Sequence, residues 1–590
     1  MEVYKAKKKS FSAELNTINK KYNSISIFRL FTIVFFFVSM YYFIKTSEVI
    51  FIALAVFLFG LFIILMRFHS KLVFKKQIKQ ALLEINENEI SYLDRKITPF
   101  ENGQEFNDFH HPYAYDLDIF GEHSLFQNLN RTAMFIGKKT LAKQLLTLLP
   151  NEEIVGNHEA VKELSKKLDW RHEFLALAKI SDDNKSSYEA LLQWSKFEST
   201  PLSKTSIVVS FITPTLFLGT GVGYLITSNP TFLSLLSILF VFNLGFLGKY
   251  LKRIQIEIAN ASNIDKIINQ YGLLIERVES ESFQSEKLIN LQQKLTFKKE
   301  NASVHLKQLA SLFSNMDSIG NFVTGLLFNG TFLFNFHVLK GLIEWKKDHT
   351  EALEDWLEVI GEFEMLNSLA NLSYNNPEFV FPNLNTNYEI DFTNLGHPLL
   401  NKETRVGNDV SFNPESFMIL TGSNMSGKST FLRSLGINIV LSGIGSPVCA
   451  SQANIHPLPV LVSMRLSDSL SDSESYFFAE IKRLKLIMDE LENRSAFILL
   501  DEILRGTNSD DKRNGTIEVV KKVIQKKAIG AIATHDIEVC LTRNEYPNVL
   551  TNKCFEVEII NDDLHFDYKL RNGICKNRSA TFLMKKMGVI

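Results

Sequence analysis

Cysteine is scarce in this chain: four in 590 residues, Cys449, Cys540, Cys554 and Cys575, with no C-x-x-C spacing. That excludes a disulfide framework and offers no zinc-ligand pattern, so the thiols read as reduced groups of a cytosolic domain. Net charge is missing too: 64 Lys and Arg stand against 65 Asp and Glu, a formal −1. No global field draws the chain to nucleic acid, and any such contact has to come from a local basic surface. Internal repeats and low-complexity tracts are absent. A signal peptide is not expected, because the first apolar run starts near Leu30 and no small-residue cleavage site follows it.

Long apolar runs are what the chain does have. Leu30–Ile44 and Val49–Met66 are apolar throughout and are separated by Lys45-Thr46-Ser47-Glu48. Each run approaches the roughly 20 residues that cross a bilayer core, and the short break makes a tight hairpin. Lys20, Lys21 and Arg29 precede the pair, and Arg67, Lys71, Lys75, Lys76 and Lys79 follow it. Positive flanks on both sides place both ends in the cytoplasm. Ser206–Ile226 and Thr231–Leu247 repeat the arrangement around Thr227-Ser228-Asn229-Pro230. A third apolar stretch, Ile319–Leu339, carries Asn321, Asn329, Asn335 and His337. Polar groups are costly in lipid, so this stretch is expected to be a buried core helix.

The organisation read from these runs has six parts. A cytoplasmic segment (1–29) precedes the first transmembrane hairpin (30–66), and a first helical core region follows (67–203). The second hairpin (204–248) leads into a helical lever and core region (249–375). The last part is an α/β domain (376–590). Ile264, Ile267, Ile268, Tyr271, Leu274 and Val278 recur at helical spacing, and few breakers follow to Phe313. A long helix or an antiparallel pair is expected there.

The α/β domain carries the chemistry. Phe417-Met418-Ile419-Leu420 has the pattern of a buried strand, and Phe431-Leu432-Arg433 opens a helix. Between them Gly422, Ser423, Asn424, Met425, Ser426, Gly427, Lys428, Ser429 and Thr430 contain the spacing G-x-x-x-x-G-K-S of a phosphate loop. The glycines let backbone N–H groups turn inward onto phosphate oxygens. Lys428 reaches the β- and γ-phosphates, and the Ser429 hydroxyl is a Mg²⁺ ligand. Phe497–Leu500 reads as a parallel strand that ends in Asp501 and Glu502, where such sheets bind ligands. Asp501 is assigned to the magnesium shell, and Glu502 to the general base that polarises the attacking water. A third strand, Ala528–Ala533, ends at Thr534-His535-Asp536, which places His535 to sense the γ-phosphate.

These residues resemble the MutS-type ATPases. Thr421-Gly-Ser-Asn-Met-Ser-Gly-Lys-Ser-Thr430 is similar to that family's phosphate loop. Leu500-Asp-Glu-Ile-Leu-Arg-Gly-Thr507, Ala533-Thr-His-Asp536 and Pro447-Val-Cys-Ala450 resemble three further motifs in the family's order. Gly121–Leu146 is similar, more weakly, to the start of the family's core and lever region. The mismatch-reading domain is not recognisable, and the first hydrophobic hairpin stands in its place. The resemblance implies an ABC-type ATPase domain that works as a homodimer, each site completed by a serine from the other subunit. Ser475 aligns with that serine, and Glu480 with the glutamate opening the next helix. Val406 and Asn408 align with residues packed on adenine, although Arg405 stands where the family has an aromatic residue.

ATP and Mg²⁺ are the ligands expected, and a multi-pass place in a bacterial inner membrane is expected, with the ATPase domain and both termini cytoplasmic. The first functional reading is a membrane-anchored MutS-like ATPase acting on mismatched, branched or otherwise deformed DNA. The alternative is a membrane-remodelling or signalling ATPase that has abandoned DNA. A transporter is disfavoured, because the spans carry no convincing charged pathway residue and the Leu-Ser-Gly-Gly-Gln signature is absent.

Overall fold

The computed structural model describes all residues except 182, 259–263, 319–321, 466–475, 561–562, 576–583, 585–586 and 588–590. Two helices of 45 residues, Glu2–Thr46 and Val49–Leu93, open the chain and pack along each other. Neither contains proline, and the second holds a single glycine, Gly60, so nothing interrupts helical hydrogen bonding. Ser47 turns the chain in the left-handed region (φ 56°), and its N–H caps Phe43 O at 2.8 Å. At about 1.5 Å per residue each helix is about 67 Å long. The apolar runs are therefore the distal half of one continuous stalk, and the divisions at 29/30 and 66/67 fall inside helices. Distal side chains such as Leu30, Phe35, Phe37 and Phe57 are exposed. Nearer the root the stalk is held by Lys79–Glu14 (2.7 Å) and Lys8–Glu87 (3.0 Å), and Tyr4, Leu82 and Ile85 are buried.

The second pair is Lys204–Thr227 and Pro230–Gly248. Asn229 caps the second helix through Thr231 N (3.0 Å), and Pro230 occupies its first turn, where no N–H is needed. Among the described residues, four helices are long and apolar enough to cross a membrane: the two of the stalk and the two of this pair. The third apolar stretch is not one helix. Phe322–Phe332 and Phe334–Asn375 meet at 78° around Leu333 (φ 50°). Phe336, Val338 and Leu339 are buried as expected, whereas Leu327 and Phe328 on the other side of the bend are exposed.

Phe334–Asn375 is a 42-residue lever that runs through the helical core. It packs along helices Phe135–Leu145 and Asn151–Lys166, and its Leu353, Trp356, Leu357, Ile360, Phe363 and Leu366 are buried, with Trp356 stacked on His305 and Phe363 against Trp170 and Phe174. Ile264–Glu279 and Ala302–Ser318 form an antiparallel pair, tied by Glu276–Lys307 (2.8 Å) and by Ser303 N to Glu279 (3.1 Å). The six residues of helical spacing in the first of these helices are all buried.

The C-terminal part holds a six-stranded sheet. From edge to edge its strands are Leu570–Asn572, Leu550–Phe555, Phe417–Gly422, Ile529–Ala533, Phe497–Asp501 and Val460–Ser463. All pairs are parallel except the first. A four-stranded sheet containing Ile390–Leu395 and Asn408–Phe412 lies beside it in sequence. The edge strand Val460–Ser463 is covered by a segment far upstream: Val462 N donates to Pro112 O (2.9 Å), and Arg483 reaches His111 O (2.9 Å). All four cysteines are free thiols.

Candidate nucleotide site

Strand Phe417–Gly422 is wholly buried between two parallel neighbours and delivers the loop at its C-terminal end. Gly427, at φ 100°, lets the loop turn into the helix Lys428–Gly443, whose first N–H groups are free of intrahelical partners. Met425 is also left-handed (φ 65°) and 75% exposed, at the outer turn of the loop. Asn424, Ser429 and Thr430 are exposed as well, and Ser423 and Ser426 carry buried hydroxyls without a hydrogen-bond partner.

The neighbouring strands bring the charged groups together. Ser429 Oγ donates to Asp501 Oδ2 at 2.5 Å. Lys428 Nζ donates to Gly422 O (2.9 Å) and Ser423 O (3.1 Å) and lies 3.3 Å from His535 Nε2. His535 Nε2 is in turn 2.7 Å from Glu502 Oε1. Parallel pairing of Ala533 with both Leu420 and Asp501 sets these three strand ends level. Burial pushes Lys428 below the usual lysine range. Burial pushes Asp501 up, opposed by the Ser429 hydroxyl. Glu502 is held down at about 2, first by the hydrogen bond with His535. It is therefore a carboxylate at any working pH.

The donor set fits a magnesium ion bound with a phosphate. Asp501 Oδ1 is buried and unpartnered, and the Ser429 hydroxyl sits on the other oxygen of the same carboxylate. A hard cation takes such oxygen ligands together with phosphate oxygens. Glu480 is buried beside the site and accepts from Arg505 N at 2.9 Å, and Arg505 Nε donates to Glu502 O at 2.9 Å. Ser475 lies outside the described residues.

The candidate base-binding residues are partly engaged elsewhere. Asn408 is buried: its Nδ2 donates to Tyr568 O (3.0 Å), and its Oδ1 accepts from Leu570 N (2.8 Å). Val406 is half-buried two residues before it. Arg405, at the aromatic position of the resemblance, pairs with Glu378 (3.3 Å) and lies over the Phe379 ring.

Two features escaped the sequence. The first is Tyr568. Asn408 places it so that its Cδ1 lies 3.0 Å from where a Cβ on Gly427 would stand, which puts an exposed ring against the phosphate loop. No motif marked it, because a sequence 140 residues away does not announce that approach. The second is Asp118, which ties two arginines: Arg433 Nη1 at 3.0 Å, on the helix following the loop, and Arg465 Nη2 at 2.7 Å, two residues beyond the edge strand. Leu117 is fully buried against Gly436 of the same helix. The segment around Asp118 thus joins the stalk side of the chain to the phosphate-loop helix.

Residues 418–588 match the family described as MutS domain V. The DNA mismatch repair protein MutS of Thermotoga maritima is 27% identical over 340 residues, which cover 57% of this chain and 38% of that protein. The protein of the same description from Methanococcoides burtonii is 30% identical over 250 residues, 41% of this chain and 28% of its own length. Human MutS protein homolog 4 is 28% identical over 247 residues, 39% of this chain and 25% of that protein. The matched part thus spans well under half of these relatives' length. Phosphate loop, acidic strand end and histidine lie together within the matched region, and these similarities support a divergent member of the MutS family.

Proposed function

We propose that this protein is a membrane-anchored ATPase of the MutS type that binds and hydrolyses ATP in a site completed by a second copy. We further propose that the cycle acts on mismatched, branched or otherwise deformed DNA. The observation that carries the ATPase reading is the chain of contacts from Ser429 to Asp501 and from Lys428 through His535 to Glu502. In this reading Lys428 leaves the carbonyls of Gly422 and Ser423 for the phosphates. Ser429 and Asp501 would hold Mg²⁺, which would supply charge neutralisation to the bound phosphates. Glu502, already ionised, orients and polarises the attacking water. His535 bridges Lys428 and Glu502 and so links γ-phosphate occupancy to the base. Ser475 of a second copy supplies the remaining donor, and Val406, Asn408 and Tyr568 bound the adenine pocket. The stalk and the second apolar pair sit in a bacterial inner membrane, with both termini and the ATPase domain on the cytoplasmic side. Their exposed apolar faces support this.

One observation favours a reading without DNA. A large cleft between the lever and helices Phe135–Leu145 and Asn151–Lys166 is lined by eight carboxylates against four lysines. Such a wall repels a phosphate backbone. If the substrate meets the protein at this cleft, a membrane-remodelling or signalling role fits better.

Glu502→Gln tests the ATPase reading. The variant keeps the carbonyl dipole but cannot take a proton, so hydrolysis falls by about 100-fold or more while ATP binding persists. ATP with Mg²⁺ then accumulates the detergent-solubilised protein as a dimer, read by light scattering. Hydrolysis at the parental rate removes Glu502 as the base. No nucleotide retention with Mg²⁺ removes the site.

A further inference from the structure

We infer that the short helix Phe322–Phe332 is a third membrane element: a half-helix that dips into the bilayer beside the second hairpin and returns at Leu333 to become the lever. The inference rests on the membrane reading of that hairpin. From Ser318 to Leu339 the sequence has no Asp, Glu, Lys or Arg. Leu326, Leu327, Phe328 and Phe332 are exposed. This surface is continuous with the hairpin: Gly330 lies against the Phe240 ring so closely that a Cβ would stand 2.2 Å from its edge. On the same hairpin helix Ile238, Val241 and Phe242 are exposed as well.

Length and topology decide between a span and a dip. Eleven residues rise about 16 Å, near half of the roughly 30 Å hydrocarbon core. The preceding helix, Ala302–Ser318, is packed in the helical core, and the lever is tied back to it by Trp345 Nε1 to His305 O (3.0 Å). Both ends of the short helix therefore stay on one side of the membrane. A complete crossing would separate two helices that touch.

The bend is equipped for a medium without water. A broken helix leaves N–H and C=O groups unpaired, and in hydrocarbon, where no water can pair them, the protein has to satisfy each one. Asn329 Oδ1 accepts from Asn335 N (2.8 Å) at the start of the lever, and its Nδ2 donates to Gly325 O (2.8 Å). Asn243 Nδ2, from the hairpin, donates to Gly330 O (2.8 Å), and Leu333 N donates to Asn329 O (3.1 Å). His337 Nε2 meets Ser210 O at 3.1 Å. Of the polar residues that argued for a soluble core helix, Asn329 is thus spent on the bend and His337 on the hairpin, while Asn321 lies outside the described residues. Lipid is the occupant of the exposed face, and the lever then begins inside the bilayer.

The test uses single nitroxides on the full chain in proteoliposomes. Cys575→Ser removes the half-exposed native thiol, the other three being buried. Leu327→Cys and Phe328→Cys probe the half-helix, Ile212→Cys the hairpin and Asp510→Cys the aqueous reference. Oxygen-over-nickel accessibility at Leu327 and Phe328 is expected to match Ile212 and to exceed Asp510. An oxygen-rich Ile212 with nickel-rich Leu327 and Phe328 overturns the inference and leaves the hairpin in place. Nickel-rich readings at all three overturn both. Low accessibility to both reagents at Leu327, with dipolar broadening between copies, also overturns it and assigns the face to a second protein molecule.

Discussion

At the residue scale the site turns on one carboxylate. Glu502 stands in the left-handed region (φ 48°), which directs it off the strand end toward His535. Its folded-state value of about 2 lies below the ordinary 4.5, chiefly because His535 is hydrogen-bonded to it. A depressed carboxylate contributes stability that is complete above its unfolded value and is lost as pH falls through 4.5 toward 2. The catalytic consequence is that protonation of Glu502 leaves no acid limb in kcat between about pH 5 and 9. In His535→Ala the largest lowering contact is gone, and the carboxyl returns toward its ordinary value. The ratio of kcat at pH 5 to kcat at pH 8 is then expected to fall below the parental ratio, beyond any uniform loss of rate. An unchanged ratio would separate His535 from the control of Glu502. The phosphate loop, Asp501, Glu502 and His535 were legible because each lies at the end of a locally patterned strand, so local spacing encodes the geometry. Tyr568 and Asp118 were not legible, because tertiary contacts made elsewhere bring them to the site.

At the scale of elements, the stalk root shows what hydropathy cannot read. Apolar runs mark only the distal half of each stalk helix. The proximal half is anchored by a buried polar cluster, in which Glu89 accepts from Arg131, from Asn371 Nδ2 (3.1 Å) and from Asn375 Nδ2 (3.1 Å). Tyr4 OH donates to Asn375 Oδ1 at 2.8 Å and brings the first helix into the same cluster. The side chains of Arg131 and Glu89 are only 6% and 3% exposed. Removing one partner of a buried ion pair strands the other, at a cost of about 3–5 kcal/mol. Arg131→Ala should therefore lower the stability of the helical core by that amount, read as urea-dependent protease resistance. Glu89→Gln with Arg131→Met leaves no buried charge and should cost clearly less. Equal losses for both variants would mean that packing, not charge, holds the root. The bend at Leu333 was equally invisible in sequence, since no proline or glycine stands there and the turn depends on asparagines of two different helices.

At the scale of the whole molecule, the question is which surface meets the substrate. The chain is electrically balanced, so the outcome depends on where its charges lie. Between Glu14 and Glu84 the stalk carries Lys20, Lys21, Arg29, Arg67, Lys71, Lys75, Lys76 and Lys79 among its cations, against the single acid Glu48 at its tip. The cleft under the lever has the opposite sign. A DNA-acting protein of this build binds duplex through counterion release, so affinity falls steeply with salt, with a slope of about −0.9 per phosphate neutralised. Detergent-solubilised protein titrated into labelled duplex, mismatched and four-way-junction DNA between 50 and 200 mM salt, on the order of physiological strength, separates the readings. Preferential junction or mismatch binding that persists in Lys71→Glu/Lys75→Glu assigns DNA to the lever region and supports the DNA reading. Binding without preference that vanishes in this variant assigns the affinity to the basic collar of the stalk, which would face anionic headgroups in a membrane. No binding to any of the three at the lowest salt leaves the MutS engine with a membrane task alone, the outcome that the carboxylate-lined cleft favours.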